Sequence, residues 1–327
     1  MFQHDTMQTA QIKNLKKFLL RKKIEDHARE LGFDLVRFTQ AKIEPKYLDA
    51  FKTWIAQNNH GEMAYMEKIA QRSDLTKILP GAKSVIVLAT NYYYDQPKLK
   101  SGHSRVARYA YGRDYHKVIG KKLKQLEKFI QELSSDHETK SYVDTGPVLE
   151  RALAEQSGLG TIGKNGCVIT KEFGSWIFLS EIITTLDLKP EPPPKPKFHL
   201  CGQCTKCIDQ CPTGAIIAPG VVDSRLCISY LTIENKDEIP PHLAKIIKKT
   251  KRLYGCDICQ EVCPHNTAKQ KIHTHPEFSE PQIATDQLNI KKILQIKNDE
   301  EFLKTFAGSP LMRAKRKGLQ RSAKLFL

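Results

Sequence analysis

Apolar residues at Leu15, Leu19, Ile24 and Ala28 recur at near-helical spacing and are followed by Gly32, which predicts a helix over residues 14–31. Residues 33–38 alternate as a half-buried strand does. A second amphipathic helix is predicted over 47–58, with Leu48, Phe51 and Ile55 on one side. Residues 83–89 form a near-continuous apolar run, suited to a strand covered on both faces. That run leads into Tyr92, Tyr93 and Tyr94, an aromatic strand end of the kind where ligands sit in α/β sheets. Helices follow over 117–133 and 148–156, and strands over 141–144, 167–170 and 175–186. The pattern therefore predicts a mixed α/β (α+β) domain over residues 1–189.

Residues 190–197, mostly proline, predict a stiff extended linker. The segment 198–270 has little apolar sequence, so its stability must come from something it binds. Segment 271–327 reads as irregular through residue 287. Helices then follow through Ile290, Ile293, Leu294 and Ile296 and through Phe302, Leu303 and Phe306. A basic helix comes last, after a break at Gly308 and Pro310.

Chemistry enters with the cysteines. Cys201, Cys204, Cys207 and Cys211, followed by Pro212, have the spacing C-x2-C-x2-C-x3-C-P. Such a run gives three thiolates to one 4Fe–4S cluster and the fourth to another. Cys256, Cys259 and Cys263, before Pro264, repeat the run without its first cysteine, whose place holds Leu253. Cys227 is the natural replacement. Cluster one would take Cys201, Cys204, Cys207 and Cys263; cluster two would take Cys211, Cys227, Cys256 and Cys259. Structural zinc and disulfides also use paired cysteines, but neither explains a four-cysteine run ending in proline, present twice in related form. Cys167 is left over and reads as a buried core cysteine.

The formal charge is +16 over 327 residues. It gathers in three runs: Lys13 to Lys23, Lys245 to Arg252, and a tail with Arg313, Lys315, Arg316, Lys317, Arg321 and Lys324. Solvated helix faces explain any one run; three without acidic compensation favour a polyanion, nucleic acid first. No stretch approaches the ~20 apolar residues of a membrane span. The first residues have no export signal, so a cytoplasmic protein is expected. The glycine-rich stretch 157–166 follows a helix and precedes a strand, the wrong order for a nucleotide-binding loop.

The residues around the cysteines resemble one family. Arg108-Tyr109, the run from Gly112 to His116, Val143 to Pro147, Ile162 to Asn165, Cys227 to Glu234, both cysteine runs, Gly308 to Leu311 and Arg316 to Leu319 together resemble epoxyqueuosine reductases, from about residue 18 to the end. The resemblance implies a nitroreductase-like cobalamin-binding domain, a ferredoxin-like two-cluster module over 198–270 and a short helical C-terminal extension. It also implies reduction of epoxyqueuosine to queuosine at the tRNA wobble position, with electrons passing through two 4Fe–4S clusters to cobalamin. The expected partners are the tRNA anticodon stem-loop and an external reductant, and a monomer is expected. A reductive dehalogenase-like enzyme with a small substrate is the alternative; the basic surface and missing export signal speak against it. A plain electron carrier would not need the first domain.

The family's acidic catalytic position falls on Asp144. A proton donor there needs a carboxyl pKa raised by burial; by composition alone, a turn or cap would be the commoner use of such an Asp. Tyr109, Asp144, Gly163, Lys164, Asn165 and Ser229 are expected around the cofactor. Asp114, Tyr115 and His116 face cofactor or substrate, with no cobalt ligation assigned to His116.

From the ligand rule, anaerobically prepared protein should hold about eight iron atoms per chain. Cys227→Ala should damage one cluster and spare the other. Iron and sulfide analysis with EPR checks this; stoichiometric zinc, or unchanged iron in the variant, would count against it.

Overall fold

The computed structural model describes residues 2–188, 200–267, 271–279 and 284–327, with side chains from Asn14 onward. The proline-rich stretch 190–196 lies outside the described residues.

The strand Ser84–Asn91 is buried at every position. Ile86 and Leu88 face one core with Phe33, Val36, Ile119, Leu123 and Trp176, while Val85, Val87 and Ala89 face another with Leu35, Leu153 and Ile183. Its neighbours are Leu35–Gln40 on one side and Ile177–Thr184 on the other, with Thr139–Tyr142 at the far edge. Every pairing in this sheet is antiparallel. A continuous apolar run is the mark of a strand covered on both faces, and parallel sheets are only its commonest setting. Here helices Phe2–Glu30 and Tyr115–Leu133 cover one face, and Pro45–Ala56 with Glu150–Gln156 covers the other. Left-handed Gly32 (φ 88°) ends the first helix, which begins earlier than its apolar spacing predicts.

Tyr92, Tyr93 and Tyr94 are buried rather than open to a ligand. Tyr92 packs edge-on against Trp176, and its hydroxyl accepts from Gln260 Nε2 at 3.2 Å. The aromatic strand end is thus a docking surface for the cysteine segment.

A second sheet joins all three predicted segments. His103–Val106 pairs in parallel with Arg252–Tyr254 and antiparallel with Gln287–Asn289. Behind it lies one core that includes Val106, Leu253, Tyr254, Ile290, Ile293, Phe306 and Leu319. Leu253, in the place of the missing cysteine, is a core residue. The stretch expected to be irregular contains the short turn Pro276–Ser279 and ends in the third strand of this sheet.

The basic tail is more structural than its charge suggests. Leu319 and Ala323 of helix Lys315–Lys324 are buried. Arg321 donates to the carbonyls of Leu231, Asn235 and Asp237 at 2.9, 2.7 and 2.8 Å, closing off helix Ile228–Ile233, which starts just after Cys227. Arg313 grips Glu234 and Arg316 grips Asp299. Arg313, though ion-paired, is exposed, as are Lys315, Lys317 and Lys324. In the middle run, Arg252 is buried against Glu261, and Lys245, Lys248, Lys249 and Lys251 are exposed. Among the described residues no helix is long and apolar enough to cross a membrane.

Candidate active site and iron–sulfur centre

None of the nine cysteines is in a disulfide among the described residues. Cys201, Cys204, Cys207 and Cys263 line one pocket together with Lys164, Asn165 and Pro264. Cys211, Cys227, Cys256 and Cys259 form the second group, each within electrostatic reach of at least one other. Among the described residues no three His, Cys, Asp or Glu side chains close onto a single-ion position. Burial pushes the Cys256 thiol up to about 12 and raises Cys227 as well. Thiolates at such positions call for a compensating cationic group, which suits clustered iron. Backbone N–H groups already point at two sulfurs: Lys164 N at Cys201 Sγ (3.4 Å) and Ala215 N at Cys211 Sγ (3.2 Å). The leftover Cys167 is not mere filling, since its thiol meets that of Cys259.

The second cysteine run is bolted to the α/β domain by the residues between its thiols. Asp257 accepts from Arg108 N at 2.8 Å, and Glu261 accepts from the Arg108 guanidinium at 2.9 Å. The same guanidinium lies 4.8 Å from the centre of the Trp176 ring. Gln260 donates to Ser175 O at 2.9 Å, and Asn266 Oδ1 accepts from Ser175 N at 2.7 Å.

The other chemistry gathers at the N-terminus of helix Tyr115–Leu133. Asp114 caps it, accepting from His116 N at 3.0 Å and meeting His116 Nδ1 at 2.8 Å. This fixes the ring so that Nε2 lies 3.3 Å from Asp144 Oδ2. The Tyr115 hydroxyl donates to the same Asp144 oxygen at 2.5 Å. Tyr115 stacks on Phe178 and meets Tyr109 edge-on, so Tyr109 supports the site from behind.

Asp144 caps no helix: the next one, Glu150–Gln156, starts from Leu149. Its backbone is left-handed, φ 57°, and Thr145 N bonds back to Val143 O at 2.6 Å across it. A three-residue turn with a positive central φ is rare and strained. The Asp144 side chain is 58% exposed although protein surrounds it, as befits a group on the floor of an open cleft. Burial opposes its ionisation, but hydrogen bonds from His116 and Tyr115 and the charges of His116 and Arg313 prevail, holding the carboxyl below its ordinary value. The expected raised carboxyl is therefore not found. The proton lies one group away: burial disfavours charge on His116, yet Asp114 and Asp144 raise it to about 9. Sequence reasoning assigned His116 no definite role, and it missed Glu150 and Glu181 altogether.

Lys164 Nζ donates to Gly202 O at 2.8 Å, and Asn165 donates to Cys259 O and accepts from Cys167 N. Both residues border the first cysteine group. Gly163 is packed so closely on Ile169 that a Cβ would stand 2.6 Å from its Cδ1. Ser229 is half-buried at the start of helix Ile228–Ile233, its carbonyl accepting from Thr232 Oγ1.

A family model described as "Epoxyqueuosine reductase QueG, DUF1730" matches residues 72–145, and one described as "4Fe-4S double cluster binding domain" matches residues 200–266. The epoxyqueuosine reductase of Gloeobacter violaceus is 40% identical over 92% of this chain and 93% of its own. The chain belongs to the epoxyqueuosine reductase family. The enzyme of Cellulophaga algicola is likewise 40% identical, over 91% of this chain and 95% of its own. A crystal structure of an epoxyqueuosine reductase with an epoxyqueuosine-modified tRNA-Tyr stem loop has TM-score 0.86 and 34% identity, covering 95% of this chain and 81% of that one. A Bacillus subtilis family member, whose catalytic aspartate loop is described as swung out of the active site, has TM-score 0.85 and 33% identity, covering 95% and 82%.

The His116 contacts carry a sign. Its folded pKa of about 9 lies above the ordinary 6.5, so the stabilisation is complete below about pH 6.5 and is lost as pH rises through about 9. His116→Ala should therefore show a smaller loss of thermal stability between about pH 6 and about pH 10 than the parent. Equal losses in both proteins would show that the ring is not protonated in the fold.

Proposed function

We propose that this chain reduces epoxyqueuosine to queuosine at the wobble position of tRNA. The observation that carries the reading is that two four-thiol groups and an exposed Asp144 backed by His116 occur in one interlocked fold. The resemblance supplies cobalamin, and the cleft suits it: the Asp144 carboxylate, backed by His116 and Tyr115, is exposed on the side an occupant would cover. Bound clusters and a bound corrin supply the two low-potential electrons that opening an epoxide to an alkene requires. The eight cysteines would hold the clusters, and Tyr109, Ser229 and Asp144 would border the corrin. The division of labour follows the segments: 1–189 for the cleft, 198–270 for electrons and 271–327 for part of the tRNA grip. Cytoplasmic location, a single chain and an external reductant belong to the same reading.

The protein's own task is the protons, of which two are needed for the oxygen to leave as water. At neutral pH His116 holds a proton next to the Asp144 carboxylate. An occupant that covers Asp144 removes the water stabilising its charge, which draws the shared proton onto Asp144 Oδ2 and towards the epoxide oxygen. A catalytic aspartate loop in the Bacillus subtilis relative agrees with placing this role on the strained Asp144 turn.

Asp144→Asn keeps shape and one donor but releases no proton. Single-turnover conversion, normalised to bound cobalamin, should fall by about 10²–10⁴ with clusters intact. A rate equal to the parent's would remove Asp144 from the chemistry.

The truncation that the basic tail invites would unmake the fold, because Arg321 and Leu319 are integral to it. Replacing Lys315, Lys317 and Lys324 together by alanine should instead weaken stem-loop binding and flatten its log–log salt slope by about 0.9 for each phosphate no longer neutralised. An unchanged slope would assign tRNA binding to other surfaces.

A further inference from the structure

Behind Asp144 lies a second acidic pair that the proton path above does not use. Glu181 sits on the strand Ile177–Thr184, between Val87 and Tyr142, and is 0% exposed. Neither of its carboxyl oxygens meets a donor among the described residues. It lies within hydrogen-bond reach of Glu150, the first residue of helix Glu150–Gln156. Two carboxyls in contact without other donors require a proton between them. The other Glu150 oxygen accepts from Asp144 N at 2.7 Å, the backbone amide of the strained turn.

We propose that Glu150 is a positioning residue, a brace that holds the left-handed Asp144 turn in its working place by accepting the Asp144 N–H, with Glu181 keeping that brace protonated. This rests on the reading that Asp144 serves the reaction. Four titratable or charged groups face Glu150: Asp144 from the turn, Glu181 from the sheet, Arg72 from helix Ile69–Ser73, and Tyr115 from helix Tyr115–Leu133. Arg72 is buried and donates to Val148 O at 2.8 Å, so it steadies the same loop from below. Burial, then the Asp144 charge, raises Glu150 to about 8, and burial, then the Glu150 charge, raises Glu181 well above the ordinary carboxyl range. At neutral pH the brace is therefore largely an uncharged acid, and Asp144 carries its negative charge without a like charge against it. Above about 8 Glu150 ionises, and two carboxylates then face each other across the turn.

Glutamine reproduces the uncharged form: its oxygen can accept the same N–H, and its amide can donate to Glu181. The test compares Glu150→Ala, Glu150→Gln and the parent in two measurements on cluster- and cobalamin-loaded protein. The first is amide hydrogen exchange over residues 143–149, which requires no turnover. Exchange should speed up by at least about tenfold in Glu150→Ala and return to the parent's in Glu150→Gln, as the loss and return of the hydrogen bond that holds the turn implies. The second is the pH profile of single-turnover conversion. Glu150→Ala should be slower by up to about 10²-fold, the scale of a misplaced reacting group. Glu150→Gln should match the parent at neutral pH, and its alkaline limb should move up from about 8 towards about 9, where His116 loses its proton.

Unchanged exchange in Glu150→Ala would overturn the proposal, as would a Gln variant as mobile as Ala or one that keeps the parent's alkaline limb. If Glu150→Ala fails to fold, Glu150→Gln alone still decides through exchange and pH limb. If Asp144 has no part in the chemistry, exchange responds as described while conversion does not, which separates that failure from this one.

Discussion

The structure turns on one buried ion network. Arg108, from the loop after the His103–Val106 strand, holds Asp257 and Glu261, which alternate with the thiols of the second cysteine run; Arg252 holds Glu261 from the other side. Breaking a single buried pair of this kind costs about 3–5 kcal/mol, whereas replacing the whole with apolar groups is often neutral. The network is thus better understood as a device for register than as a source of net stability. It fixes which residue of the cysteine run faces which residue of the α/β domain. Asp257 also contributes this way only while charged, and although burial raises its carboxyl, Arg108 and Arg252 work against that rise. Once the register is set, the Gln260–Ser175–Asn266 bonds and the shared three-stranded sheet follow.

Around the cleft, one residue type does three jobs by environment alone. Asp114 is a helix cap that orients a ring. Asp144, exposed and flanked by donors, is a carboxylate ready to receive a proton. Glu150 and Glu181, shut away between helix and sheet, are driven towards the neutral acid. The positive end of helix Tyr115–Leu133 favours the anion at Asp144 and disfavours the cation at His116, so the pair is poised rather than locked.

Much of this was legible in the chain. The cysteine spacing already joins Cys201, Cys204 and Cys207, and Cys256 with Cys259, because those are local, while the ligand rule supplied the distant members Cys263, Cys211 and Cys227 that the fold brings to them. The apolar run at 83–89 found its strand, and Gly32 its helix end. What failed was whatever depends on partners distant in sequence. The three tyrosines after that strand look like a ligand-binding end until Gln260 and Trp176 are seen to cover them. Half of the tail's cations turn inward as ion pairs and carbonyl clamps, which charge counting cannot distinguish from a polyanion-binding face. Glu181 gave no signal at all, since one glutamate in an apolar strand resembles an exposed position until the sheet is built.

The most direct measurement of the central claim is conversion itself. Protein with both clusters and cobalamin loaded anaerobically is given a low-potential reductant and an anticodon stem-loop carrying epoxyqueuosine, and the nucleosides are then analysed by mass. The account predicts loss of one oxygen atom, giving queuosine, in a reaction that requires both the reductant and the cobalamin. Intact epoxyqueuosine after incubation with fully loaded, reduced protein would contradict it.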